Sequence, residues 1–301
     1  MSELLIKGGM VYSYIDEGFH AIKLQMADVY IKDGFISEVA PGIAYSCDTL
    51  DASDCVVFPG MINMGGSTFA ARISSGLLAD RRDGMDLVAP LLSLACRMLP
   101  GDELRSISMA GLWETVAGGA TTVAELFREA NRSLIPAMQE AADMLGVRFF
   151  AVTEDEIKAA GAIIGTGCVN SCMITEMRAT AFAVKHAARD AGACKASDVF
   201  YSATVVNGRV LDAEKFGRIG CGFNADLSVV CLKRFAPLSY PLSQYVYGAN
   251  ASDVRHVVAC GKPVKRNYKP AGHIKPALSR AQKEAEKAIK KLWEEARREI
   301  L

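Results

Sequence analysis

The sequence is short of the side chains that usually hold metals. Four histidines (His20, His186, His256 and His273) are scattered through 301 residues in no repeated spacing. Nine cysteines (Cys47, Cys55, Cys96, Cys168, Cys172, Cys194, Cys221, Cys231 and Cys260) include no CxxC pair. Neither a zinc ribbon nor a dithiol redox framework is written into them. Their odd number excludes complete intramolecular pairing, and they read as reduced thiols buried as small hydrophobes. Cys168 and Cys172 stand one helical turn apart, half of a metal site that no second pair or neighbouring histidine completes. An excess of charge is missing too. The 34 basic side chains balance 34 acidic ones, so nothing draws the chain toward nucleic acid or an acidic membrane. No apolar run approaches the ~20 residues that cross a bilayer. The N-terminal Met-Ser-Glu-Leu-Leu-Ile-Lys-Gly-Gly lacks the basic-then-apolar order of a signal peptide. The expectation is a cytoplasmic protein, with a core large enough for one large domain or two modest ones.

What is present is organised in three zones. Residues 4–12 read as two short strand pieces about a glycine turn, and 28–39 as a hairpin with Asp33-Gly34 at its tip, a pair that tolerates positive φ. Strand patterns return at 225–232 and 254–264. Two β segments at opposite ends, neither able to close its own core, most economically form one sheet layer. Between them strand and helix alternate: strands at 56–63, 121–126, 147–152 and 162–166, helices at 87–99, 102–116, 134–145, 173–191 and 198–211, and a helical stub at 157–160. Such alternation implies a parallel sheet with helices outside it. The tail, 278–301, is rich in Ala, Lys, Glu and Arg. Leu278, Ala281, Ala285, Ala288, Leu292 and Ala296 form a narrow apolar seam, which suits either a solvated helix lying on its own protein or a partner-binding helix.

The stretch "VVFPGMINMGGSTFA" (Val56 to Ala70), Arg72 followed by Gly76, "ETVAGGATTVAEL", "AADMLGVRFF", "IIGTGCVN", "EMRAT" and "FNADLSVVCL" occur in that order. Together they resemble the amidohydrolase superfamily, in particular its cytosine-deaminase and triazine-chlorohydrolase branch, over roughly 4–266. The resemblance implies an α/β fold: a (β/α)8 barrel of the TIM type inserted between chain ends that pair as a β-sandwich. It also implies a metal-dependent hydrolase of non-peptide C–N bonds, acting on aminated or halogenated purine, pyrimidine or triazine rings. Here a full barrel, roughly 250 residues, does not fit between the sandwich segments. The expectation is therefore a composite sandwich from 1–55 and 212–268, a truncated barrel over 56–211, and a linker with a charged amphipathic helix over 269–301. The barrel strands match the family's first, second, third and eighth, which are neighbours in the order 8-1-2-3. That leaves a half barrel with an apolar inner face and unpaired edges. Association would cover them, as a homo-oligomer or with a longer amidohydrolase; the alternative is a monomer whose C-terminal helix enters the vacated space.

In the family the first strand ends in His-x-His and the last in Gly-Thr-Asp, and further ligands come from strands absent here. The matching positions are Gly65, Ser67 and Gly167. Glycine offers no donor atom and a neutral serine hydroxyl is a poor one, whereas zinc catalysis needs about three fixed ligands and an open position. No metal site, no cofactor and no catalytic residue are expected. Asn63, Arg72, Glu125, Cys168 and Cys172 mark a possible vestigial pocket. The leading expectation is an inactive amidohydrolase relative acting as a structural or regulatory subunit or a binding protein. The alternatives are a hydrolase or deaminase that works only with a partner or with unusual ligands such as Cys168, Cys172, Asp80 or Glu125, and metal-free chemistry at Cys168. Glu125 and Glu154 are expected near the barrel mouth, more as loop-edge charges facing water than as catalytic groups.

Overall fold

The computed structural model describes residues 2–14, 22–74, 80–160, 163–211 and 213–300. His20, Gly76 and the start of the expected strand at Ala162 lie outside them.

Both chain ends enter one mixed sheet. β1 (Glu3–Tyr14) pairs antiparallel with β2 (Ile22–Lys32), which turns through Asp33 (φ 49°) and Gly34 (φ 87°) into β3 (Phe35–Ala40). Two successive positive φ values are the signature of the tight hairpin that Asp-Gly implies. β1 is one strand, not two pieces. Gly8 (φ 76°) makes a bulge between Ile6 and Gly9, and its N–H donates to buried Asp28 Oδ1 at 2.8 Å. An extra residue absorbed this way bends a strand without ending it. β4 (Asp48–Asp51) and β5 (Cys55–Pro59) run parallel to β1.

β5 is the splice. It pairs antiparallel with β9 (Leu227–Cys231), which carries β10 (Val254–Ala259), β11 (Lys262–Arg266) and β12 (Lys269–Pro270) beyond it. Leu4, Ile6, Val29, Ile36, Leu50, Val57, Val229 and Val258 meet in one core, so the sheet curls over itself. Alternate residues of β5, Val56 and Phe58, face the opposite way into the main core. Period-two alternation is what lets one strand serve two cores.

At Gly60 the chain turns out of this sheet into a second, parallel one: β6 (Met61–Gly66), β7 (Ala120–Leu126) and β8 (Arg148–Val152), in that order. Thr121 Oγ1 would lie 2.4 Å from a Cβ on Gly60, so the Pro-Gly corner needs its glycine. Connecting helices are α1 (Thr68–Ser74), α2 (Val88–Met98), α3 (Gly101–Ala117) and α4 (Ile135–Leu145). Gly146 ends α4 with φ 71°. Beyond β8 come α5 (Glu154–Ala160), α6 (Met173–Ala188), and a continuous helical run made of α7 (Ala196–Tyr201), a π turn over Ser202–Val206, and α8 (Asn207–Val210). α9 (Pro241–Gly248) joins β9 to β10.

The expected strand at 162–166 is not a regular strand. Ile163–Thr166 does lie beside β6, with Met64 N–H donating to Ile164 O at 3.3 Å. Two asparagine side chains take the ladder groups instead. Asn207 Nδ2 donates to Ile62 O and Ile164 O, both at 2.7 Å, and Asn63 pairs with the N–H and hydroxyl of Thr166 at 2.9 Å each. Gly165 is pressed so close that a Cβ there would stand 1.6 Å from Met64 O. The place next to β6 is as expected; the hydrogen bonding is not.

The inner face of the parallel sheet is not bare. Met64, Ala124 and Val152 are covered by Ile157 of α5, Ile163, and Val210 and Leu211 at the end of α8. The C-terminal helix α10 (Lys275–Glu299) does not enter this space. It lies outside, on α3 and α2. Leu278, Ala281, Ala285, Ala288, Leu292 and Ala296 are buried, Ser106 Oγ donates to Glu284 Oε2 at 2.9 Å, and Trp293 Nε1 donates to Ile73 O at 2.8 Å. Among the described residues no helix is long and apolar enough to cross a membrane.

Candidate functional site

The C-terminal ends of β6 and β7 and the Ile163–Gly167 segment converge where a parallel α/β sheet usually builds a site. Each expected ligand position there is filled by backbone or by carbon. Gly65 has φ 69°, and a Cβ on it would stand 2.8 Å from Ile157 Cδ1. A histidine at this position would meet both the strain of a left-handed backbone and the α5 isoleucine. Ser67 donates its backbone N–H to Gly167 O at 2.8 Å, tying the two strand ends together through main chain. Gly167 itself has φ 56°.

Glu125, at the end of β7, is 2% exposed. Its Oε2 accepts from Thr68 Oγ1 at 3.0 Å and its Oε1 from Phe69 N–H at 3.3 Å. Burial raises its carboxyl to about 7, against the lowering effect of those two donors. It is a buried anchor for the start of α1, not the water-facing charge expected from sequence. Glu154 is the water-facing one: it pairs with Arg128 at 3.0 Å, and that guanidinium holds its carboxyl below the usual range.

The other expected pocket residues do not assemble. Asn63 is fully buried and occupied by Thr166. Arg72 reaches α3, where Nη1 meets Glu114 Oε1 at 3.0 Å. Cys168 is buried with its Sγ 3.8 Å from Met85 Sδ, and burial pushes its thiol up. Cys172 Sγ lies 3.5 Å from where a Cβ on Gly118 would stand. Gly118 precedes β7 and Glu125 ends it, so the two cysteines sit toward opposite ends of the sheet. Asp80 is exposed. His256 is buried in the large sheet. Its Nε2 lies 3.0 Å from Asp51 O and its Nδ1 accepts from Asn267 N–H, and burial lowers it to about 4. His186 and His273 are exposed.

Among the described residues no three His, Cys, Asp or Glu side chains converge. The zinc that the family resemblance implies does not fit this set of atoms: its strand-end positions are glycine, serine and glycine, and the space beside Gly65 holds Ile157. Asn207 and Ile157, which shape the region, were not singled out from sequence. The signal for Asn207 was available as one amide inside "TVVNGRVL".

The fold is a mixed α/β fold of the kind seen in amidohydrolase structures. An adenosine deaminase from Xanthomonas campestris with bound zinc superposes with a TM-score of 0.77 at 16% identity, covering 96% of this chain and 99% of that one. A zinc complex of atrazine chlorohydrolase from Arthrobacter aurescens TC1 gives 0.74 at 16% identity, over 93% and 100%. The amidohydrolase family model matches residues 128–264. In sequence, the chain is 38% identical over 112 residues to a 5′-deoxyadenosine deaminase of Methanopyrus kandleri, a stretch covering 35% of this chain and 26% of that relative. The family match and the curated relative support membership of the amidohydrolase superfamily.

Proposed function

We propose that this amidohydrolase-like chain is catalytically silent and works as a binding or regulatory subunit, its frame retained and its metal chemistry lost. The observation that carries this reading is the occupancy of the strand ends. Gly65, Ser67 and Gly167 supply no side-chain ligand set, and Ile157 takes the space that a ligand at Gly65 would need. Hydrolysis of this kind requires a polarised water on a fixed cation. Glu125, the one carboxylate buried at the strand ends among the described residues, is spent on Thr68 and Phe69.

The same reading takes 56–211 as a half barrel carrying the family's first three strands and a remnant of its eighth, with 1–55 and 212–268 as the composite sandwich. It also takes the outer edge of β8, beyond which no strand lies among the described residues, as the side where a second copy or a longer relative would dock. The relatives suggest the substrates to try. The full chain incubated with 5′-deoxyadenosine, adenosine or a chlorotriazine, with zinc added, should release neither ammonia nor chloride above the rate in buffer. Turnover above that rate would end this reading in favour of the alternative, a working hydrolase with unusual ligands.

A further inference from the structure

Two of the nine cysteines meet across the strand pair that joins the chain ends. Cys55 opens β5, Cys231 closes β9, and the antiparallel register sets them directly opposite each other. Opposed residues send their side chains to the same face of a sheet, and both thiols pack against the core that holds Leu4, Val57 and Val229. The backbone tells which kind of pair they form. Just past β5, Gly60 N–H donates to Asp226 O at 2.8 Å, so Gly60 stands at a hydrogen-bonding position of this ladder. Pair types alternate along an antiparallel ladder. Counting back, Phe58 and Val56 are hydrogen-bonded, while Pro59, Val57 and Cys55 are not. Two details agree: Pro59 has no N–H to give, and Cys55 N–H is used on Ala52 O at 2.9 Å. Non-hydrogen-bonded pairs are the close ones, with Cα atoms about 4.5 Å apart, within the span of about 4.4–6.8 Å that a disulfide bridges.

The surroundings give the two thiols different roles. Cys55 is 3% exposed; its S–H donates to Ser53 O at 3.4 Å, and its Sγ accepts from Arg255 Nη1 at 4.0 Å. Burial raises this thiol to about 12, against the lowering effect of the guanidinium. Cys231 is only half-buried, so it is the sulfur that a small oxidant from solvent reaches first. The corner is already held by charge. Asp51 accepts from Arg255 at 2.6 Å and Lys233 pairs with Asp54 at 2.9 Å, one residue before Cys55 and two after Cys231. Opposed Cβ atoms stand slightly farther apart than those of a disulfide, but both cysteines lie at strand ends, where the backbone can follow. A bond closed against that resistance is readily reduced again.

We propose that Cys55 and Cys231 form a reversible disulfide, driven by a peroxide, that locks the two chain ends together. Cys231 loses its thiol proton and attacks hydrogen peroxide. The O–O bond breaks, one oxygen stays on Cys231 as sulfenic acid, and the other leaves with the proton as water. The Cys55 sulfur then attacks that of Cys231, and the displaced hydroxide takes the Cys55 proton as a second water. Two thiols are oxidised by two electrons in all, and the peroxide is reduced by two. The site is independent of the catalytically silent reading and adds a modification to it.

The test treats the full folded chain, freed of reductant, with hydrogen peroxide, alkylates the remaining thiols and maps the cysteines by mass spectrometry. Peptides carrying Cys55 and Cys231 should be recovered joined to each other as the main oxidised product, and glutathione should release them. Cys231→Ser should abolish the joined peptide, and Cys221→Ser, at an exposed cysteine, should leave it. The oxidised parent should unfold at a higher urea concentration than the reduced one, because the bond closes a loop holding residues 56–230. Cys231→Ser should lack that gain. The parent's peptide map decides even where a variant fails to fold. Links among other cysteines in place of this one, or higher acids at Cys231 with Cys55 still alkylated, overturn the proposal. So do two unchanged thiols at a peroxide dose that oxidises Cys221, or a joined protein that unfolds no later than the reduced one. The catalytically silent reading survives each of these results and is judged by turnover alone.

Discussion

Two buried residues make opposite demands on pH. Glu125 has its folded value raised from 4.5 to about 7. The folded state therefore holds a proton that the unfolded chain releases, and the associated stability is full below pH ~4.5 and lost as pH rises through ~7. His256 has its folded value lowered from 6.5 to about 4. Its contribution is full above pH ~6.5 and is lost as pH falls through ~4. Between about 4.5 and 6.5 the two slopes oppose each other. Glu125→Gln keeps an oxygen for Thr68 or Phe69 but cannot ionise. It should gain on the parent protein as pH rises from 5 to 8, by up to about 3 kcal/mol at the top of that range. Urea unfolding at a series of pH values measures this, and a pH-independent difference would show that Glu125 is not the buried titrating group. His256→Gln should show the mirror image, with its difference from the parent shrinking as pH falls from 6.5 to 4.5.

At the level of elements, the strands, the hairpin and the Ala/Leu seam of α10 were legible because burial periodicity writes them directly into the sequence. Which surface the seam covers was not legible. Leu278 to Ala296 reads the same for a helix on α3 as for one in a vacated barrel, and polar contacts such as the Ser106–Glu284 and Trp293–Ile73 bonds and the Lys291–Glu103 ion pair distinguish them. Leu292, fully buried, should cost about 2–5 kcal/mol when cut to Ala. Ala288→Leu should cost about 1–3 kcal/mol by overpacking the helix contact. Chemical denaturation of both variants checks the docking, and losses near zero would mean the helix is not seated there. The irregular Ile163–Thr166 segment was misread as a strand for a related reason: its apolar residues fit one, but Asn63 and Asn207 take its ladder bonds. Asn207→Ala would remove the amide that donates to Ile62 O and accepts from Ile164 N–H, while Ile164 O keeps Met64 N–H; each buried group left unpaired costs about 1–3 kcal/mol. A melting temperature unchanged in that variant would contradict the wedge.

For the whole molecule, the joining of both chain ends in one sheet around β5 could be anticipated, since neither end segment could bury itself alone. The self-covering of the inner face could not. Ile157, Val210 and Leu211 are ordinary apolar residues in ordinary helical patterns, and their joint role appears only when the chain is folded. This cover leaves the β8 edge as the feature that favours association. Light scattering at micromolar concentration should return a mass of at least two chains, and a single-chain mass at every concentration would remove the docking proposal. The claim beneath all of this is that the strand ends hold no cation. Protein purified without chelator, loaded with excess zinc, passed through a desalting column and measured by elemental analysis tests it most directly. The account predicts far less than one equivalent of metal per chain and no rise in melting temperature. One retained equivalent of zinc, iron or manganese, with a raised melting temperature, would contradict it.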